Sequence, residues 1–384
     1  MAGPLSVKMG SSTSLDPETA VRELHEAIDQ PDVTLAIFYC SPTYDLGALE
    51  AALAARFGAV KLIGCTTAGE IGPDGYARHT LTGVSLAGEG TVAVVKRIDE
   101  LKRFEFATGA EVAERLLWNL GDLGKMPSGK DTFGLLLIDG LSMQEEIVVS
   151  SLYRCLGDIQ LFGGSAGDET RFGRTYVYHE GKFHTDAAIF VLVNTVQPFT
   201  VFKTQHFSST DEKMVVTGAD PGKRVVTEIN GEPAAREFAR AVGLENAELT
   251  PMVFSSHPVM VRVGGAYYVR SIQKVNEDGS LTFFCAIDSG VVLTVAKPID
   301  IVENLRSAFA SVRKKIGEPQ LVLGCDCILR FIEIQQRGLE GEIGEIFRAN
   351  HVVGFATYGE QYNAMHVNQT FTGVALGSGE PRDE

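Results

Sequence analysis

Two glycine-rich blocks far apart in the chain are built alike, and each is followed at the same interval by a matching apolar run. Gly64-Cys-Thr-Thr-Ala-Gly69-Glu70 leads to Thr82-Gly83-Val84-Ser85-Leu86, and Gly354-Phe-Ala-Thr-Tyr-Gly359-Glu360 leads to Thr372-Gly373-Val374-Ala375-Leu376. Such self-similarity marks a fold assembled from repeated units. A looser third copy, Phe162-Gly163-Gly164-Ser165-Ala166-Gly167-Asp168, stands between them, ahead of the apolar stretch Ala187 to Val193.

Upstream of each block lies a further short apolar run: Leu35 to Cys40, Phe133 to Ile138 and Leu321 to Cys325. Runs of this length bounded by turn residues read as buried strands. Between strand and block the spacing becomes helical, with Leu46, Leu49, Leu53 and Phe57 in the first unit and Ile343, Ile346 and Phe347 in the last. In the middle unit Ser142-x-x-Glu145 is a capping-box pattern that predicts a helix start. Asp16-Pro17 predicts another helix, as do the stripes Val112, Leu116, Leu120 and Leu305, Phe309, Val312, Ile316.

These alternations predict an α/β fold of mixed sheets covered by helices, built from repeated strand–helix–strand units in two closely packed domains. The stretch from about Thr200 to Ala296 breaks the pattern; Asn230-Gly231 reads as a tight turn, and Val259 to Ile272 and Ser280 to Ile287 read as strands. The expected division is a helical lead-in over 1–32, an N-terminal domain over 33–225 and a C-terminal domain over 226–384. A chain of 384 residues fits two cores.

The formal charge of -15 argues against attraction to nucleic acid or anionic membrane. No apolar run reaches membrane-spanning length, and the N-terminal residues show no signal-peptide pattern, so a cytoplasmic protein is expected. Six dispersed cysteines fit buried reduced thiols, and Cys325-Asp-Cys327 lacks the spacing of a zinc site.

Gly163-x-Ser165-x-Gly167 has the letters of a hydrolase nucleophile elbow, but Asp168-Glu-Thr-Arg-Phe-Gly does not read as the helix that motif needs. The glycine blocks lack the signatures of phosphate and dinucleotide loops. They read either as close backbone approach at strand ends or as the floor of a pocket. Of the eight histidines, none is spaced as a helical zinc pair; His79 falls in a polar loop, and His179 and His184 flank a turn at Glu180-Gly181-Lys182.

The string Gly354 to Gln361 with His366-Val-Asn368-Gln369-Thr370, together with His257-Pro258, Tyr268-Val269-Arg270 and Cys327-Ile-Leu-Arg330, resembles the C-terminal part of FIST-domain proteins. Ser41-Pro42, Ile63 to Glu70 and Phe162 to Asp168 resemble the FIST N-terminal part. The resemblance implies a bacterial signal-input module that binds a small molecule. A free-standing protein of this kind is similar to the haem-binding nitric oxide sensors called NosP, which act on a partner histidine kinase.

On that reading the cofactor would be haem b, with His366 or His257 as the axial metal ligand and Arg270 or Arg262 pairing a propionate. The ligand pocket would be drawn from Tyr358, Gly359, Glu360, Asn368 and Arg330, and a second copy of the chain is an expected partner. The alternative within the same family is a haem-free module for a small molecule such as an amino acid. There Arg270 and Arg330 would grip a carboxylate, and Glu360 and Asn368 an ammonium or amide. A third class, an acyl-transfer enzyme using Ser165 or Cys65, needs a base and an orienting group that the order of residues does not supply; the expectation is a binder, not an enzyme.

Overall fold

The computed structural model describes residues 5–378 apart from 246 and 247. The ends of the expected lead-in and C-terminal domain, 1–4 and 379–384, lie outside the described residues.

The first repeat runs β1 (Ser6–Ser12), α1 (Pro17–Ile28), β2 (Val33–Cys40), α2 (Leu46–Phe57), β3 (Leu62–Thr66), the hairpin β4 (Glu70–Gly72) and β5 (Gly75–Ala77), and β6 (Leu81–Ala87). The second follows the same plan: β7 (Thr91–Ile98), α3 (Phe106–Asp122), β8 (Thr132–Ile138), α4 (Glu145–Arg154), β9 (Gln160–Ser165), β10 (Val177–His179), β11 (Lys182–His184) and β12 (Ala188–Thr195). The third opens with β13 (Phe199–Gln205) and is then interrupted. The inserted stretch carries β14 (Phe207–Asp220), β15 (Val225–Ile229), β16 (Glu232–Pro233), α5 (Ala234–Ala241), α6 (Pro251–Ser256), β17 (Val259–Val263), β18 (Ala266–Arg270), β19 (Ile272–Val275), β20 (Leu281–Phe283) and β21 (Val292–Pro298). The third repeat then resumes with α7 (Ile301–Ile316), β22 (Pro319–Cys327), α8 (Ile328–Gln336), α9 (Glu340–Ala349), β23 (Val352–Thr357), β24 (Glu360–Tyr362), β25 (Met365–Val367) and β26 (Thr370–Gly377).

Each repeat builds one sheet in the same order: β1-β6-β2-β3, β7-β12-β8-β9 and β13-β26-β22-β23. The third and fourth strands of each run parallel, joined by a helical crossover, and the second strand is antiparallel to the third. Each sheet is completed by a hairpin from another repeat. The first repeat's β4 pairs with β23, the third repeat's β24 with β9, and the second repeat's β10 with β3.

Alternate strand residues face opposite ways. Leu35, Ile37 and Tyr39, Leu135 and Leu137, and Leu321, Leu323 and Phe355 join one apolar cluster shared by the three sheets. The intervening residues turn to the helices: Ala36 and Phe38 pack with Leu24, Leu49 and Leu53, and Leu136 and Ile138 with Leu116, Val148 and Leu152. The lead-in is therefore no appendage, since β1 pairs along its full length with β6 and α1 covers the first sheet.

Two local expectations shift. The helix predicted from Ser142-x-x-Glu145 begins at Glu145 with Gln144 as its cap residue and no side-chain cap bond; the Ser142 hydroxyl accepts from the Gln144 N–H instead. The third glycine block is also one residue out of the register assigned to it. Ala68 N–H donates to Ala356 O, Tyr358 N–H to Ser165 O and Gly167 N–H to Thr66 O, a closed ring in which Ala68, Gly167 and Tyr358 are equivalent. Glu169, rather than Asp168, is thus the counterpart of Glu70 and Glu360.

The compact units are not consecutive stretches, whereas the sequence reading divides the chain near 225. Unit 1 comprises the chain up to Lys203, Arg306–Met365 and the chain from Phe371; unit 2 comprises Thr204–Leu305 and His366–Thr370. Unit 2 holds an antiparallel sheet in the order β18-β17-β21-β14-β15-β20-β19, packed on α5 and α6 through Val226, Phe238, Phe254, Ile272 and Leu293. Asn230 and Gly231 turn its β15–β16 hairpin with φ of 52° and 82°, a left-handed pair that this dipeptide adopts readily.

Candidate functional site

In unit 1 the ends of β2, β3 and β22 open into a cavity of about 160 Å³. The first repeat supplies Ser41, Gly69, Glu70, Arg78 and His79, the second Glu169 and Thr170, and the third Ile328, Phe331 and Ile332. Glu70 lies at its base, 1% exposed, accepting hydrogen bonds from Thr67 Oγ1, Thr80 N–H (3.1 Å) and Thr80 Oγ1 (2.8 Å). Burial pushes its pKa up to about 7, against the downward pull of those hydrogen bonds, with the Glu169 charge adding to the rise. His79 Nδ1 stands 3.3 Å from Glu169, while Arg78 bonds Gln335 and lies over the Phe331 ring.

The FIST-like residues of unit 1 are mostly committed to structure. Arg330 is fully buried and paired to Asp326 at 2.7 Å, and the same carboxylate accepts the Tyr76 hydroxyl. Tyr358 donates its hydroxyl to Asp168 and stacks on Phe172. Gly359 O accepts from the Ser165 N–H at 2.8 Å and from Thr357 Oγ1 at 2.8 Å. Glu360 is buried opposite Gly164. The Ser165 hydroxyl accepts from Gln361 Nε2 at 3.0 Å, and its strand is followed by irregular chain rather than a helix, so the nucleophile-elbow geometry is not formed. Cys65 and Cys325 are buried thiols whose pKa values burial raises, and Cys327 is equally buried.

Unit 2 gathers the others. Arg270, at the end of β18, donates from Nη1 to His366 O at 3.1 Å and Val269 O at 3.2 Å, holding the 366–370 segment. Gln369 Nε2 donates to Ser255 O on α6 at 2.8 Å. Between these anchors Asn368 is fully buried, and among the described residues neither its Nδ2 nor its Oδ1 has a partner; Ser271 Oγ and Gln369 Oε1 are likewise unpaired. His257, partly buried at the end of α6, has Nδ1 3.3 Å from Val253 O and 3.0 Å from Ser256 Oγ. Arg262 is exposed, its guanidinium over the Tyr267 ring.

The sequence reading thus named residues that fall in two units. It missed Arg78, His79, Glu169 and Phe331 of the strand-end cavity. The repeat could have flagged Glu169, had the ring of backbone bonds been known. Nothing in the spacing brings Phe331 near Glu70. Among the described residues no group of three or more His, Cys, Asp or Glu side chains is placed to hold a metal ion, and no helix is long and apolar enough to cross a membrane.

The structure is an interlocked α/β scaffold with buried polar groups at strand ends, a place where ligands of α/β proteins commonly bind. The chain belongs to the FIST family: residues 34–232 match the FIST N domain and 234–363 the FIST C domain. FIST domains are sensory modules that bind small ligands and feed signalling. The chain is also similar to the uncharacterized protein MJ1623 of Methanocaldococcus jannaschii, 23% identical over 350 residues that cover 82% of this chain and 67% of that protein. A cyanuric acid hydrolase from A. caulinodans aligns over 97% of this chain and 99% of its own with a TM-score of 0.39 and 8% identity, too weak a likeness to transfer fold or chemistry.

Proposed function

We propose that this chain is a cytoplasmic signal-input protein, a binder rather than a catalyst, whose unit 2 takes a small carboxylate-bearing molecule such as an amino acid. The observation that carries this is the buried Asn368 amide, with neither donor nor acceptor answered among the described residues. An unanswered buried amide costs about 1–3 kcal/mol, and a ligand offering both an acceptor and a donor removes that cost. Arg270, anchored through one nitrogen, has a guanidinium suited to a carboxylate. Output to a partner histidine kinase would follow a ligand-dependent change at the 366–370 segment, which unit 2 holds through Arg270 and Gln369.

Calorimetric titration with single amino acids, on the native chain and on Asn368→Leu, tests this. The variant should lose affinity at least about tenfold while the unliganded protein unfolds at an equal or higher midpoint, because an isosteric apolar group removes the unanswered amide. A variant that binds normally, or that is destabilised like an ordinary core mutant, would sink the reading.

His257 favours a second reading, in which the ligand is haem b and the signal nitric oxide. Nδ1 lies 3.3 Å from the Val253 carbonyl, and the tautomer that donates there leaves the Nε2 lone pair available to a metal, as in a metal-ligating histidine. His257, with His366 as the alternative, would hold the iron, and Arg262 or Arg270 a propionate. Haem would supply a ferrous iron that takes nitric oxide. The absorbance spectrum of protein from haem-supplemented cells decides: a stoichiometric Soret band lost in His257→Ala or His366→Ala supports it, and colourless protein ends it.

A further inference from the structure

The strand-end cavity of unit 1 has a chemistry that the proposed ligand of unit 2 does not use. Its base is a carboxylate without a counter-charge. All the hydrogen bonds Glu70 accepts come from neutral donors, Thr67 and Thr80, and it forms no ion pair among the described residues. The lining arginine is engaged elsewhere, with the Arg78 guanidinium 5.2 Å from the Phe331 ring centroid and bonded to Gln335. His79 and Arg171 attend Glu169 at the rim, at 3.3 Å and 2.9 Å. The wall opposite is apolar: Phe331 and Ile332, from α8.

We propose that this cavity is a second ligand site, selective for a small organic monocation: a primary ammonium whose head meets Glu70 and whose short apolar body lies on Phe331 and Ile332. A buried carboxylate that is hydrogen-bonded but has no ion-pair partner is costly to ionise, so a cation gains most beside it. At roughly 30 Å³ per water-sized group, 160 Å³ admits about five such groups, which excludes bulky ligands. Since all three repeats line the cavity, the ligand would tie them together.

Binding is linked to protons. The titratable and charged groups about Glu70 are the Cys40 and Cys65 thiols and the Tyr44 phenol, all kept neutral by burial, the Glu169 carboxylate, and in the cavity lining His79, beside Glu169, and Arg78. The ammonium requires Glu70 ionised, and burial places that ionisation at about pH 7. Affinity should be level well above this pH and fall, approaching tenfold per unit, below it, with a proton released on binding at pH 6.

The test is calorimetric titration of the full chain with n-propylammonium chloride and, as neutral isostere, n-propanol, at pH 8 and pH 6. The expected result is binding of the ammonium alone, weakened about tenfold at pH 6 and lost in Glu70→Gln. Should Glu70→Gln fail to fold, Glu169→Gln at the rim should weaken binding and keep the pH dependence. Equal binding of propanol, unchanged affinity in Glu70→Gln, unchanged affinity in Glu169→Gln where that variant replaces it, or no heat at millimolar ammonium overturns the proposal.

Discussion

A buried charge keeps its place only when its neighbours answer it, and Asp326 is answered twice, by Arg330 and by the Tyr76 hydroxyl. Both charged side chains are wholly excluded from solvent, and they sit one helical turn apart where β22 runs into α8. Arg330→Met should therefore leave an ionised carboxylate in the core and cost about 3–5 kcal/mol, whereas Asp326→Leu with Arg330→Met should recover most of that loss. Urea midpoints of the two variants measure it; a mild single mutant would place the stabilisation elsewhere. Arg330 was legible in the sequence as a special residue but not as a structural one. An arginine in an apolar run announces only that it needs an anion, and the sequence does not say whether that anion is internal or a ligand.

At the scale of elements, each sheet needs a glycine where its parallel strands come closest. A Cβ built on Gly354 would lie 1.8 Å from Gly324 O, and one on Gly163 2.1 Å from Leu136 O. Gly354→Ala must push β22 and β23 apart, breaking the pair that also receives the β4 hairpin. It should lower stability by several kcal/mol, on the order of 3, as overpacking does, and hydrogen exchange should speed at Glu70 and Ile71 as well as at Phe355. Protection lost only locally would argue that the hairpin is held by other contacts. Helices and inner strands were readable because each carries its own period, 3.6 or 2. The exchanged hairpins were not, because Glu70 finds Phe355 and Gln361 finds Gly163 across most of the chain, and short three-residue strands carry no pattern that names a partner.

Over the whole molecule, the exchange of hairpins means that no repeat of unit 1 is complete by itself. The family boundary, with FIST N ending at 232 and FIST C beginning at 234, falls inside unit 2 and separates the first two repeats from the remainder of the third. A fragment ending at Lys203 would keep β10 on β3 but strand the β4–β5 hairpin without β23 and β9 without β24. It would also expose the faces of Leu35, Tyr39, Leu135 and Phe162 that pack in one cluster with Leu323, Phe355 and Val374. Apolar area of that extent is worth roughly 25 cal/mol per Å², a loss that a marginally stable chain cannot absorb. The fragment should bind a hydrophobic dye and unfold without a cooperative transition, and co-expression of a second fragment covering 306–384 should restore cooperativity. If the first fragment alone melts sharply, the ring of hairpins adds rigidity to repeats that already fold singly; if only the pair does, the ligand cavity that all three repeats line exists only in the assembled ring.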